Sequence, residues 1–217
     1  GLSNNTLNSF RFYLSIFVSW LAETKKITLL DVSELEIQEF LAFKFPTSKS
    51  RSISRLLATL RRFFRFLLRE NKIKEDPTLK IQTPKIPKSL PKSLSEDEVE
   101  GLLEAPDIKT DVGMRDRSML ELLYACGLRV SELVGIQLTE VILSDGVIRV
   151  TGKGSKTRLV PMGEEAVDWI KKYLAESRQN ILNKQTSKFL FVTNRGGEMT
   201  RQAFWYLIKK YALMANI

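Results

Sequence analysis

Apolar residues recur with the period of an α-helix throughout residues 1–80. The polar run 4–6 supplies N-cap residues for an apolar-rich helix that ends near Glu23, and the run 31–33 does the same for a second helix that reaches about Phe45. A third, longer helix is predicted over about 49–70. Because no strand-like alternation interrupts these runs, the sequence predicts a first region built only of helices.

Helical periodicity continues after residue 93, where short β-signals interrupt it once. Ser95 and Glu98 have the spacing of a capping box and mark the start of a helix near 95–105. Further helices are predicted near 114–126, from about 130, at 164–182 and at 200–214. Runs rich in Val and Ile, separated by glycine-containing turns, predict strands at 141–143, 147–151 and 157–160. The expected fold class is therefore mainly α, with two helical domains, the second carrying a small antiparallel β-sheet.

Prolines mark the boundary between these two regions. Four of the seven prolines lie within fifteen residues, at positions 77, 84, 87 and 91. Each proline lacks an N–H and restricts the residue before it, so the stretch 83–92 cannot continue a helix. We therefore expect two domains, at 1–80 and 93–217, joined by an extended Pro- and Lys-rich linker at 81–92.

The net charge of the chain is confined to its first part. Residues 1–92 contain 17 Lys and Arg against 8 Asp and Glu, a net charge of +9, whereas residues 93–217 contain 17 of each. A one-sided basic field of this kind indicates a polyanionic partner, either nucleic acid or an anionic membrane surface. A merely solvated surface is the alternative.

The third predicted helix concentrates this charge on one face. Five arginines lie within about 80° of one another on a helical wheel, and they are Arg51, Arg55, Arg62, Arg65 and Arg69. The opposite face is apolar and is predicted to be buried; its members are Ile53, Leu56, Leu57, Leu60, Phe63, Phe64, Leu67 and Leu68. No acidic residue occurs in the helix before Glu70, so no i,i+4 partner offsets the repulsion among the arginines. This pattern favours DNA or RNA over a solvated face or a membrane.

Several kinds of active site are excluded by residue counts. The chain contains no histidine, which rules out within these residues a Ser-His-Asp triad, a histidine metal site and a histidine general base. Its single cysteine, Cys126, cannot form an internal disulfide and is expected in the core, as are Trp20, Trp169 and Trp205. No apolar run approaches the roughly 18 residues of a membrane span and no signal peptide is visible, so we expect a cytoplasmic protein.

Two short segments are candidates for chemistry. In the first, Gly127 breaks an apolar helix and Arg129 follows directly, well placed to present a guanidinium to a phosphate, with Glu132 three residues later as its holding partner. A structural Arg–Glu pair is the alternative. In the second, Lys153 lies between glycines in a predicted hairpin turn, where it is either a proton donor to a phosphate site or a solvated turn residue.

The motifs together resemble the tyrosine recombinases of the phage-integrase family, of the bacterial Xer type, over nearly the whole chain. The segments that resemble the family are Asn5-Thr6-Leu7, the arginine-rich helix from Arg55, the proline-lysine linker, Leu94-Ser95-Glu96, the segment 122–133, the segment that starts at Gly152, and the segment that starts at Met199. The stretch 127–133 matches the family's first arginine box, and Lys153 follows Arg129 at the separation that the resemblance predicts.

The resemblance implies a SAM-like helical domain and a catalytic domain that grip duplex DNA between them. A tyrosine attacks the scissile phosphate and forms a 3′-phosphotyrosyl link, Arg129 stabilises the charge of the phosphorane, and Lys153 protonates the departing 5′-oxygen. Neither a metal nor another cofactor is required. The five arginines of the third helix, together with Lys85, Lys88 and Lys92, are expected to follow the DNA backbone.

The resemblance also implies partners and a biological role. It predicts a related, XerC-like recombinase subunit in a heterotetramer on a short double-stranded recombination site, and a septal DNA translocase that activates it. The expected role is the conversion of chromosome dimers to monomers at cell division. A DNA-binding clamp without strand-cleaving activity is the competing hypothesis, and a membrane-surface protein is a third.

The chain departs from the family pattern at its end. The family supplies a His-x-x-Arg pair, then a His or Trp, then the nucleophilic tyrosine, all after a helix like 200–214. None of these occurs up to Ile217, and Tyr206 and Tyr211 do not match the context of the nucleophile. We therefore expect a recombinase fragment, shortened at both ends, and predict that it is inactive in DNA cleavage.

Overall fold

The computed structural model describes residues 4–84, 93–152 and 156–217, in two compact units, Gly1–Pro91 and Lys92–Ile217. It confirms the expected fold class, which is mainly α with one small antiparallel sheet. Four predicted site residues, Lys85, Lys88, Lys92 and Lys153, lie outside the described residues. None of the helices in the described ranges is both long enough and apolar enough to cross a membrane.

Within residues 4–84, the described part of the first unit, there are three α-helices and one short 3₁₀ turn. Their bounds are α1 Asn4–Thr24, α2 Glu34–Lys44, the 3₁₀ turn Phe45–Thr47 and α3 Ser50–Arg69. Helix α2 begins at a capping box, in which the Ser33 side chain accepts a hydrogen bond from the N–H of Leu35 and Glu36 accepts one from the N–H of Ser33 at 2.8 Å.

Aromatic rings from all three helices form the core of this unit. The Phe40 ring lies 4.8 Å from that of Phe17 and 5.2 Å from that of Trp20, measured between centroids, and Phe64 of α3 meets Phe17 edge-on. Most of the predicted apolar face of α3 is buried, but Phe63 is only partly buried and Leu68 is 37% exposed. Leu68 stays exposed because it lies at the edge of that face in the last helical turn.

The second unit contains six α-helices among the described residues. Their bounds are α4 Glu96–Glu104, α5 Asp111–Cys126, α6 Val130–Gly135, α7 Glu164–Lys172, α8 Arg178–Leu182 and α9 Arg201–Met214, with a 3₁₀ turn at Leu138–Glu140. The capping box predicted at Ser95 is present at the start of α4. Helix α5 starts three residues before the predicted position 114, because Thr110 caps it by accepting a hydrogen bond from the N–H of Gly113 at 3.0 Å.

Three antiparallel strands form the predicted sheet in the order β1-β2-β3. They span β1 Val141–Ile142, β2 Val147–Thr151 and β3 Thr157–Pro161, with Arg149 opposite Leu159 and Thr151 opposite Thr157. Side chains of β2 alternate, with Ile148 and Val150 buried and Arg149 and Thr151 exposed. One face of the hairpin is therefore fixed on the core, and its register is set by that burial.

The helix predicted over 164–182 is instead interrupted by a π-helical turn at Tyr173–Ser177, between α7 and α8. Tyr173 and Ser177 are both buried, and the Tyr173 ring stacks on Phe191 at 5.7 Å. The wider turn of a π-helix places these two residues, four apart, in the core together.

The prediction that Trp205 lies in the core is wrong. Its side chain, on α9, is 50% exposed and belongs to the surface.

Candidate functional site

A left-handed glycine places Arg129 at the junction of α5 and α6. Gly127 adopts φ 56° and ψ 37° and donates its N–H to the carbonyl of Leu123, which ends α5. Leu128 is then buried in the core, while Arg129 turns outward as the N-cap residue of α6. The chain thus holds the Arg129 backbone between an anchored leucine and a helix start, with the side chain 67% exposed.

Glu132 holds Arg129 at two points, as the sequence predicts. Its Oε2 accepts a hydrogen bond from the Arg129 backbone N–H at 2.9 Å, and its Oε1 accepts one from Arg129 Nη1 at 3.0 Å. The Glu132 side chain is 4% exposed, whereas the guanidinium of Arg129 reaches solvent. The pair therefore fixes one edge of the guanidinium, and its Nε and Nη2 have no partner among the residues that the structure describes.

Arg158 is a third member of this cluster, and the sequence alone does not indicate it. It lies on β3 and donates from Nη1 to Glu132 Oε1 at 3.1 Å and from Nη2 to Glu132 Oε2 at 2.9 Å. This two-bonded geometry is the strong form of an arginine–carboxylate pair. The only signal in the sequence is a basic residue that follows the hairpin turn, and nothing local ties it to a glutamate 26 positions earlier.

The cluster strongly stabilises the charged form of its carboxylate. The hydrogen bonds from Arg158, followed by those from the backbone and side chain of Arg129, lower the pKa of Glu132 from 4.5 to about 2, although burial opposes this shift. The same interaction raises the pKa of Arg158. Glu132 is therefore an anion near neutral pH, and the cluster as a whole carries one net positive charge.

Gly152, the residue that follows β2, lies directly beside this cluster. A Cβ atom on Gly152 would lie 3.2 Å from Arg158 Nη1 and 3.3 Å from Glu132 Oε1, so glycine allows the backbone to approach closely. The Gly152 N–H donates to the carbonyl of Lys156 at 2.9 Å. Gly152 therefore lies close to the cluster of Arg129, Glu132 and Arg158.

The predicted basic face of α3 is present in the first unit. Arg51, Arg55, Arg62, Arg65 and Arg69 are all exposed. Two of them have carboxylate neighbours. Arg65 Nε lies 4.0 Å from Asp76, and Arg69 lies 3.4 Å from Glu70. The face also carries a groove of 720 Å³ lined by Ala58, Arg61, Arg62, Arg65, Phe66 and Arg69.

Arg61 has a different role from its neighbours. It donates to the carbonyl of Ile81 and to the hydroxyl of Thr83, at 2.7 Å for the latter bond. These bonds tie the segment after α3 back onto the helix. Sequence reasoning missed this role because the partners lie 20 and 22 positions downstream.

Three groups with nucleophilic chemistry are not part of this cluster. Tyr211 is 2% exposed and donates to Asp116 at 2.8 Å, and burial followed by the Asp116 charge raises its pKa. Tyr206, in the same helix, is 58% exposed. Cys126 is half-buried, its thiol donates to the carbonyl of Pro161 at 3.4 Å, and burial raises its pKa to about 11. Such a thiol is protonated near neutral pH and is a poor nucleophile.

Comparison with known families covers both units. Residues 1–71 match the family model described as "Phage integrase, N-terminal SAM-like domain", and residues 92–217 match the one described as "Phage integrase family". The basic face of α3 falls in the first match, and the cluster of Arg129, Glu132 and Arg158 falls in the second.

Similar proteins agree with these family matches. The chain is 50% identical to tyrosine recombinase XerD of Proteus mirabilis, covering 100% of this chain and 69% of that protein, and 51% identical to tyrosine recombinase XerD of Pseudomonas putida, covering 100% and 73%. It shares its fold, at 18% identity and a TM-score of 0.73, with a crystal structure of a lambda integrase dimer bound to a COC′ core site, covering 100% of this chain and 74% of that one. The chain belongs to the phage integrase family of tyrosine recombinases.

Proposed function

We propose that this chain acts in a site-specific tyrosine recombinase, which cuts and rejoins duplex DNA through a 3′-phosphotyrosyl intermediate. The observation that carries the proposal is Arg129, whose guanidinium projects from the junction of α5 and α6 with one edge held by Glu132. A half-fixed, solvent-facing guanidinium is suited to a phosphate because the free edge offers two parallel N–H donors.

Arg129 and Lys153 have complementary roles in this proposal. Arg129 donates to the non-bridging oxygens of the scissile phosphate and stabilises the negative charge that grows there in the transition state. Lys153 protonates the departing 5′-oxygen as the P–O bond breaks and the tyrosine–phosphorus bond forms. The tyrosyl ester keeps the energy of the phosphodiester bond, so the 5′-hydroxyl can later attack it and reseal the strand without a metal ion or a nucleotide.

The first domain, proposed over 1–80, supplies DNA affinity through α3. Its five exposed arginines contact backbone phosphates, and the lysines of the proposed linker at 81–92 continue that track. Contacts of this kind set position and register on the duplex more than they read sequence. The domain proposed over 93–217 then places Arg129 at one phosphate.

The similarity to XerD supports a role in chromosome maintenance. We propose that the protein acts with a related, XerC-like subunit in a heterotetramer, activated by a septal DNA translocase, and converts chromosome dimers to monomers at cell division. We place it in the cytoplasm, where the chromosome of a bacterium lies.

A DNA-binding clamp without strand-cleaving activity is a second candidate, and one observation favours it. The 217 residues contain no histidine, so the His-x-x-Arg box of the family is not among them. For the polypeptide of these 217 residues, we expect DNA binding without cleavage.

A two-site plasmid separates the two candidates. A duplex is first selected from a random-sequence library by binding to the 217-residue chain, and two direct repeats of it are placed in one plasmid. The complete gene product, with a related recombinase from the same genome, is expected to resolve this plasmid into two circles in the presence of a metal chelator. Arg129→Ala should bind the plasmid without resolving it. Because resolution also depends on the proposed translocase, binding with neither resolution nor a covalent protein–DNA product would identify the clamp.

A further inference from the structure

One buried carboxylate accepts hydrogen bonds from two arginines in the second unit. Glu132 is 4% exposed and accepts two side-chain bonds from Arg158 but only one from Arg129. Both guanidiniums remain partly in solvent, at 42% exposure for Arg158 and 67% for Arg129. The carboxylate charge is thus directed mainly toward Arg158.

The way Glu132 divides its negative charge between the two arginines decides how strongly Arg129 can attract a phosphate. A lone arginine beside a buried glutamate forms a neutral ion pair, and a neutral pair attracts a phosphate far less than a free guanidinium does. Without Arg158, both oxygens of Glu132 would turn to Arg129 and draw its outer edge inward. With Arg158 in place, the cluster keeps one net positive charge on the side of Arg129 that faces solvent.

We infer that Arg158 is a positioning residue, which neutralises Glu132 and so leaves the charge and the outer edge of Arg129 to the scissile phosphate. The inference rests on the proposed function of Arg129. It adds a residue of β3 to a site that the sequence places at the start of α6, and it assigns the hairpin a part in setting the charge at that site.

The guanidinium shape of Arg158 contributes to this effect as well as its charge. Its two Nη atoms meet the two oxygens of Glu132 at 3.1 and 2.9 Å, which holds the carboxylate plane in one orientation. Lysine would supply the charge from a single nitrogen and leave that orientation free. We therefore expect Arg158→Lys to be intermediate between the unaltered protein and Arg158→Met.

A charge-balance series tests the inference. In the complete gene product, single-turnover cleavage is measured at saturating concentration of the selected duplex, nicked so that the covalent product accumulates. Arg158→Met should slow cleavage by about 10²-fold, the loss typical of one oxyanion donor. Adding Glu132→Gln to Arg158→Met removes the unbalanced carboxylate, and the double variant should recover to within about tenfold of the unaltered rate. Arg149→Met, on β2 of the same hairpin and exposed, is the control and should cleave normally.

A merely structural role predicts the opposite order, since a second substitution in a packing cluster would slow the double variant further. That order, or full activity of Arg158→Met, would overturn the inference. Thermal unfolding of each variant identifies loss of folding, in which case Arg158→Lys is compared with the double variant instead.

A binding measurement decides the inference separately from the proposed function. With the 217-residue chain and the selected duplex at low salt, Arg158→Met should weaken binding, and the added Glu132→Gln should restore most of the loss. If the unaltered gene product fails to cleave but this recovery is seen, the recombinase proposal fails and the charge-balance inference stands. If no recovery is seen, the inference fails.

Discussion

The most strongly perturbed side chain in the cluster, Glu132, gives a pH-dependent contribution to stability. Its pKa is about 2 in the folded chain and 4.5 ordinarily, so the unfolded state binds its proton first as the pH falls. The stabilisation is complete above about pH 4.5 and is lost as the pH falls toward 2. Because both arginine partners are partly exposed, solvent screening limits it to about 2 kcal/mol.

Glu132→Gln should therefore lose stability near neutral pH and little at pH 2. Urea unfolding at a series of pH values gives the difference in unfolding free energy between the unaltered chain and the variant. That difference should shrink between pH 4.5 and pH 2. A constant difference would mean that Glu132 is not held as a carboxylate by its arginines.

The conformation of Gly127 makes a second prediction at the same scale. Its φ of 56° disfavours any residue with a Cβ, although a Cβ there would meet no atom within 4 Å. Gly127→Ala should cost about 1 kcal/mol of unfolding free energy through the backbone alone. Gly197, which also has open space around it but no left-handed φ, is the matched control, and Gly197→Ala should be neutral in the same urea titration. Equal costs at the two positions would contradict the proposed helix ending.

Individual residues differ in how far the sequence predicts them. Arg129 and Glu132 are three positions apart at a helix start, so local spacing brings them together before any fold is known. Arg158 reaches Glu132 only because the β2–β3 hairpin folds back onto α6, and no local pattern encodes that contact. The same holds for Arg61, whose partners follow α3 after a turn.

Among the elements, α3 has the clearest division of faces. Its arginines face solvent while Ile53, Leu57 and Phe64 are buried, so the basic face is available to a polyanion. If all five arginines meet phosphates, the logarithm of the DNA-binding constant should fall with the logarithm of salt concentration with a slope of roughly 4 to 5.

Each arginine removed from α3 should lower that salt slope by a similar amount. Arg55→Ala and Arg62→Ala should each lower it by about 0.9 and weaken binding similarly for all duplex sequences. Lys44→Ala, on α2 of the same unit, is the control and should leave the slope unchanged. Filter-binding or anisotropy titrations across salt concentrations measure these slopes. An unchanged slope in both arginine variants would remove α3 from the DNA interface.

Helix periodicity predicts α3 well because one side of it packs against the core along most of its length. It predicts the 164–182 segment less well, because the period of a π-helical turn differs from 3.6 residues and is set by Tyr173 and Phe191 packing in the core. The prediction that Trp205 is buried is wrong for a related reason. Helical spacing with other apolar residues does not say which part of the apolar face finds a partner, and half of this side chain remains at the surface.

At the scale of the whole molecule, charge and chemistry are placed in different parts of the chain. Residues 1–92 hold the entire excess of positive charge, and residues 93–217, with no net charge, hold Arg129 and its partners. Under the proposed function, we expect long-range attraction to DNA to come from the first part and the second to act through a few oriented groups at one phosphate. Sequence composition predicts this division, since it needs only the positions of charged residues and the proline-rich boundary.

The covalent intermediate tests the central claim most directly. The complete gene product, together with the related recombinase from the same genome, is incubated with the selected duplex, nicked at a series of positions, and the denatured mixture is examined by mass spectrometry. We expect a tyrosine-containing peptide joined to a DNA 3′-phosphate, together with a free 5′-hydroxyl end, and a large loss of both in Arg129→Ala. A complete gene product that binds this duplex tightly and yields no covalent link would show that the protein is a DNA-binding clamp and not a recombinase.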